Sequence, residues 1–167
     1  VLGAGSLAIP FLIVTGFVIY FKRPKTRIKN KISKSDAEFV ILVGTEGGTT
    51  LQFAEQLQKR LLQQNYSCFL AMMNDYDCFK SMKQLIVITA TYGQGEAPAS
   101  AEKFMQLLAK KSQSQKFQFA TVGFGSTAYP HFCQFAYVAH QQLEKLDKTT
   151  ALMEVFTVND QSFEAFQ

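Results

Sequence analysis

From Phe39 onward, short uninterrupted apolar runs alternate with stretches that are apolar along only one helical face, and few folds accept a chain patterned this way. FVILV (39–43) and LIVITA (85–90) carry no polar interruption until their last residues, as expected of strands covered on both faces. Between Thr49 and Gln64, Leu51, Phe53, Ala54, Leu57, Leu61 and Leu62 recur at helical spacing, with Glu55, Gln58, Lys59 and Arg60 on the other side. SCFLAMM (67–73) reads as a second strand, followed by a short polar segment over Tyr76–Lys83 and the strand at 85–90. Ala99–Lys110 reads as a helix, FQFATVGF (117–124) as a strand, His131–Leu146 as a helix and ALMEVFTV (151–158) as a fifth strand, with Ser162–Phe166 opening a final helix. The spacing therefore predicts an α/β domain over 39–167: a doubly wound, five-stranded parallel sheet with right-handed crossovers and helices on both faces. In such sheets ligands sit beyond the carboxyl ends of the strands, where the strand order reverses. The loops after strands one, three, four and five are thus the places to look for chemistry.

Two segments precede this domain. Residues 1–21, VLGAGSLAIPFLIVTGFVIYF, hold no charged residue and match the roughly 20 apolar residues that a membrane-crossing helix needs. Tyr20 and Phe21 fall where interfacial aromatics belong, and Lys22, Arg23, Lys25 and Arg27 follow at once. That order places the basic end on the cytoplasmic side and differs from a cleaved signal peptide, whose charges come first. The expectation is a single pass in this chain, or the last pass of a longer protein, with the α/β domain in the cytoplasm. Residues 22–38 form a basic juxtamembrane linker whose density of like charge predicts a solvated tether with some attraction to anionic lipid.

The linker also explains the overall charge of +4. Seven Lys/Arg fall between Lys22 and Lys34 with no acid among them, whereas from Asp36 onward 13 acidic residues face ten basic ones. A nucleic-acid partner is therefore not expected of the folded part. Cys68, Cys78 and Cys133 have neither CxxC nor metal-ligand spacing, and with two histidines in the chain no metal site is expected. No nucleophile–base pair or carboxylate dyad marks a catalytic residue.

Three loops carry the remaining signal. VGTEGGTT (43–50) puts glycines and threonines between a buried strand and a helix start, where unsatisfied N–H groups and the helix dipole stabilise a phosphate without a basic side chain. Neither GxxxxGK[ST] nor GxGxxG is present, which argues against a nucleoside triphosphate or dinucleotide. ATYGQGEAP (90–98) sets Tyr92 on a glycine-rich loop suited to stacking on a planar ring, and GFGSTAYPHF (123–132) supplies a second aromatic, Tyr129. His131 reads as a helix-start or packing residue. Taken singly, each loop is also compatible with an ordinary helix cap or turn.

Together these three segments resemble the flavodoxin family over about 39–167, in particular the FMN domains of diflavin reductases. The resemblance implies that Thr45, Glu46, Gly47, Gly48, Thr49 and Thr50 hold the FMN phosphate and that Tyr92 and Tyr129 stack on the two faces of the isoalloxazine. It further implies that Thr91, Gly93, Gln94 and Gly95 line the reactive edge, that Phe124, Gly125, Ser126, His131 and Phe132 border the ring and ribityl chain, and that Asp160 is a contact. Gly47 departs from the threonine usual in the family, and Ser126 from the common asparagine. The function implied is one-electron relay from an NADPH/FAD reductase module, fused or separate, to a haem or iron-containing acceptor. Two alternatives stay open: a flavin-free interaction module tethered to the membrane, and an NAD(P)H:quinone-type flavin reductase.

Overall fold

The computed structural model describes residues 28–159. Next to one edge of its sheet lies β1, Phe39–Gly44, buried from Val40 to Gly44. β1 runs parallel between β2 (Cys68–Met72) and β3 (Gln84–Ala90), with Ile41 opposite Leu70 on one side and Ile86 on the other. β3 pairs in turn with β4 (Phe117–Gly125), and β4 with β5 (Thr149–Ala151), giving the order β2-β1-β3-β4-β5. This is the doubly wound sheet that the apolar runs predicted.

The two-residue period of a strand divides the core. Val40 and Leu42 of β1 face one cluster, with Leu85, Val87 and Phe119; there α2 (Phe104–Lys110) and α3 (Gln134–Glu144) contribute Phe104, Phe135, Ala139 and Leu143. Ile41 and Val43 face the other, where α1 (Thr49–Gln63) brings Leu51, Phe53 and Ala54. Covering both faces is what lets the strands do without polar alternation.

Strand five differs from the expectation. The single strand predicted at 151–158 is broken into β5 (Thr149–Ala151) and β6 (Phe156–Asn159), both parallel to β4. Ala151 lies opposite Phe119 and Phe156 opposite Val122, so this chain advances five residues while β4 advances three. The surplus forms a bulge in which Leu152 N–H still reaches Phe119 C=O (2.8 Å), while the Leu152 and Met153 side chains are 48% and 47% exposed. A bulged, broken edge resists pairing with another sheet.

The linker departs further. Its last part, 28–38, packs on the domain instead of standing in solvent. Ile28 joins the cluster under α1 and Ile32 the cluster on the opposite face, so the chain crosses the open edge of β2. At the crossing, the Asn30 side-chain amide stands in for a strand backbone. Its Nδ2 donates to Leu70 C=O (2.8 Å) and its Oδ1 accepts Leu70 N–H (2.9 Å) and Gln58 Nε2–H (2.8 Å). Lys34 then pairs with Asp77 (2.5 Å). Two isoleucines and one amide outweigh the like charges, because the Lys29 and Lys31 side chains between them need not be buried. No helix among the described residues is long and apolar enough to cross a membrane; the segment 1–21 read as spanning, the linker start at 22–27, the final helix expected over Ser162–Phe166 and Asp160 all lie outside the described residues.

Candidate functional site

The carboxyl ends of β1, β3 and β4 open into the three loops singled out by sequence. After β1 the chain turns through Thr45–Gly48 into α1. Gly48 occupies the N-cap position at φ 92°, a left-handed conformation that glycine adopts without a Cβ penalty. Thr45 is buried, and its hydroxyl accepts Gly48 N–H (2.9 Å). A Cβ added at Gly47 or Gly48 would meet no heavy atom within 4 Å, so the turn is open at its rim.

Thr50, in the first turn of α1, is the telling residue. Its side chain is buried and its hydroxyl has no hydrogen-bond partner among the described residues. A buried orphan of this kind costs about 1–3 kcal/mol. It lies at a helix N-terminus, where an anion would relieve it. The residues present therefore fit a phosphate. Glu46 contributes no carboxylate to that anion: its side chain turns aside to accept Ala99 N–H (2.7 Å), leaving only its backbone to the turn.

The loop after β3 is a tight hairpin. Tyr92 and Glu96 exchange backbone hydrogen bonds (3.0 and 2.8 Å), with Gly93 at φ 51° and Gly95 at φ 105° between them. A Cβ at Gly95 would lie 3.2 Å from His131 Cβ and from Gln134 Cγ, so a glycine there lets the hairpin seat against the start of α3. Thr91 stitches the two regions, its N–H donating to Phe124 C=O (3.0 Å) and its hydroxyl accepting Phe135 N–H (3.2 Å). After β4, Tyr129 closes a turn by donating its N–H to Ser126 C=O (3.1 Å), and Thr127 N–H is held by Asn159 Oδ1 (2.9 Å) from β6.

Between these loops lies a cleft of about 310 Å³ walled by Tyr92 and Tyr129, with Thr91, Gly93, Gly125, Ser126, His131 and Phe132 along it. Both tyrosines are mostly exposed, at 53% and 63%, a costly display of aromatic surface unless a flat partner covers it. Cys133 completes the wall; burial pushes its thiol up to about 11, so it is an apolar lining group at neutral pH. Tyr92 also lines a second hollow of about 440 Å³, rimmed by Glu46, Glu96 and Glu102, which brings three carboxylates to this end of the sheet. A hollow of about 410 Å³ by Asn30 at the β2 edge is comparable in size but lies away from these loops.

The structure thus brings together most of the residues expected at a ring-binding cleft, with differences. Phe124 does not border it: the side chain is fully buried, its ring packed on Phe53 (centroids 4.8 Å apart), because β4 directs that position into the core. Gln94 is exposed at the hairpin tip and Gly95 serves the packing of the loop, neither lining the cleft. The helices begin later than expected, α2 at Phe104 instead of Ala99 and α3 at Gln134 instead of His131. Ala99 and Ser100 brace the β1 turn, and Cys133 at φ 52° stops helical continuation backwards. Ala99, Ser100 and Asn159 carry no sequence signal for their part in the site, because side chain-to-backbone braces leave no periodic pattern. Among the described residues no group of His, Cys, Asp and Glu is arranged to hold a metal ion.

Comparison with known proteins agrees with this geometry. The flavodoxin family model matches residues 41–165. Human inducible nitric oxide synthase is 32% identical over 122 residues, covering 71% of this chain but 10% of that enzyme. The sulfite reductase [NADPH] flavoprotein alpha-component of Bacillus subtilis is 27% identical over 113 residues, covering 65% of this chain and 19% of that protein. The chain thus spans between a tenth and a fifth of the length of these two relatives. Among solved structures, oxidised flavodoxin 2 from Bacillus cereus superposes with a TM-score of 0.66 at 22% identity, over 77% of this chain and 90% of its own, a likeness of fold.

Proposed function

This chain belongs to the flavodoxin family, and from that premise we propose that it is an FMN-dependent electron-transfer domain, with the flavin ring between Tyr92 and Tyr129 and the phosphate in the turn at 45–50. The observation that carries this reading is the pairing of an orphaned, buried Thr50 hydroxyl at a helix start with two exposed tyrosines across one cleft. Bound there, FMN supplies the redox chemistry, taking up and passing on electrons.

The chain's own residues bind and tune. N–H groups of the turn and the α1 dipole balance the phosphate without a lysine or arginine. Tyr92 and Tyr129 offer ring faces to the flavin and exclude water from them, while Thr91 and Gly93 line the edge. Glu46, Glu96 and Glu102 stand nearby and disfavour added negative charge in the cleft. The retained turn also weighs against a flavin-free interaction module.

Electrons enter from an NADPH/FAD reductase module and leave to a haem or iron-containing acceptor, a reading supported by the nitric oxide synthase and sulfite reductase flavoprotein relatives. Residues 1–21 anchor the chain in a membrane with the domain on the cytoplasmic side, supported by their uncharged length and the basic residues after them. The test is spectroscopic. Purified chain, reconstituted with FMN, is expected to bind one flavin per chain and, once reduced by dithionite without oxygen, to pass electrons to ferricytochrome c. NADPH alone is expected to leave it oxidised. A chain that stays colourless after reconstitution refutes the assignment, and rapid reduction by NADPH alone points instead to a quinone-type reductase.

A further inference from the structure

The turn after β1 and the loop after β3 are joined by hydrogen bonds that neither motif requires by itself. Thr45 N–H donates to Ser100 Oγ (2.7 Å), and Ser100 O–H donates to Thr45 C=O (2.9 Å). One hydroxyl, with a single proton and two lone pairs, thus closes on both backbone groups of the residue that opens the turn. Thr45 passes the constraint on, because its own hydroxyl accepts Gly48 N–H (2.9 Å) and so holds the left-handed cap of α1. Ser100 is itself pinned from behind: its C=O accepts Asn74 N–H (2.9 Å), while the Asn74 side chain donates to Ala99 C=O (2.8 Å) and accepts Lys103 N–H (2.8 Å). The ends of β1, β2 and β3 are tied through this one serine.

We propose that Ser100 is the positioning residue of the phosphate turn, reaching from the loop that bears Tyr92 to set the turn's donors before the anion arrives. The proposal rests on the FMN reading above and deepens it. Donors already converged on an anion need no ordering when it binds, and that saved ordering appears as affinity. The bridge also joins the turn and the Tyr92 hairpin into one unit, so ring and phosphate meet loops already in register.

FMN and riboflavin differ only in the phosphate, which separates this role from a merely structural one. A residue that only holds the domain together weakens both flavins alike; one that shapes the turn changes their ratio. Flavin-free full chain and its Ser100→Ala variant are titrated with each flavin, following the quenching of flavin fluorescence. FMN affinity is expected to fall about tenfold, the order of the net worth of the two hydrogen bonds to Thr45, with riboflavin affinity changed less than about twofold. Ser100→Thr, which keeps the hydroxyl, is expected to restore the FMN/riboflavin ratio. Should Ser100→Ala fail to fold, Ser100→Cys, a weaker donor and acceptor, is expected to move the ratio in the same direction. Equal losses for the two flavins, or an unchanged ratio in a variant whose parent binds FMN, would overturn the role of Ser100 alone. A parent that binds neither flavin would overturn the cofactor assignment, and this role with it.

Discussion

Gly47→Thr is predicted to tighten FMN binding. Gly47 stands at the open rim of the turn where the flavodoxin family usually carries threonine, and a Cβ built there meets no heavy atom within 4 Å. Its φ is outside the left-handed region, unlike that of Gly48 at 92°, so the threonine backbone is unstrained. The added hydroxyl can donate to a charged phosphate, an interaction of roughly 1.5–3 kcal/mol, against about 0.5 kcal/mol for fixing the side chain. The net of about 1–2.5 kcal/mol corresponds to roughly 5- to 60-fold in affinity. The same change at Gly48 is predicted to weaken binding, since a side chain at positive φ costs about 1–2 kcal/mol. Isothermal titration of the flavin-free protein with FMN and with riboflavin is the assay. Gly47→Thr should act on FMN alone. If FMN affinity stays within about twofold of the parent, or riboflavin gains as much, the phosphate is not held by this turn.

Asn30→Ala removes three hydrogen bonds at the β2 edge and leaves Leu70 N–H unpaired; urea unfolding should show a loss of about 1–3 kcal/mol, with faster amide exchange at Leu70. Gly95→Ala, at φ 105° and against His131 and Gln134, should unseat the Tyr92 hairpin and lower both stability and flavin affinity, read by thermal unfolding and FMN titration. Hydrogen bonds from Lys111 and Lys34, with Cys78 N–H, hold the Asp77 carboxyl well below the usual carboxylate range. A lowered folded-state value means that its stabilisation is full above about pH 4 and fades as pH falls further. Asp77→Asn should therefore cost up to about 1 kcal/mol at neutral pH, with the difference from the parent closing in acid. Burial raises the Cys68 and Cys133 thiols to about 12 and about 11, whereas Cys78 is exposed, so iodoacetamide at pH 8 should label Cys78 in the native domain and all three after unfolding.

The fold was legible because a parallel strand covered on both faces has to be apolar throughout, and FVILV and LIVITA have no other economical use. Helix starts were less legible. Ala99–Lys103 and His131–Cys133 are composed like helix, but tertiary contacts claim Ala99 and Ser100 for the turn and His131–Cys133 for the cleft wall. Leu152 and Met153 looked like strand residues, since composition does not distinguish an apolar side chain inside a strand from one lifted out on a bulge. The strap across β2 was hidden by charge. Ile28 and Ile32 sit on opposite faces of the sheet with Asn30 between, a spacing that belongs to neither a helix nor a strand. Tyr92 and Tyr129 could be found because glycine-rich loops at strand ends are local in sequence, whereas Ser100 and Asn159 act across 55 and 32 residues.

The central claim is that one flat, phosphorylated cofactor lies between Tyr92 and Tyr129. Equilibrium titration of the Tyr92→Ala/Tyr129→Ala double variant with FMN tests it most directly. With two stacking contacts removed at about 1–3 kcal/mol each, affinity should fall at least about thirtyfold and the quenching of flavin fluorescence should largely disappear. A double variant that binds FMN as tightly as the parent, with quenching intact, contradicts the account.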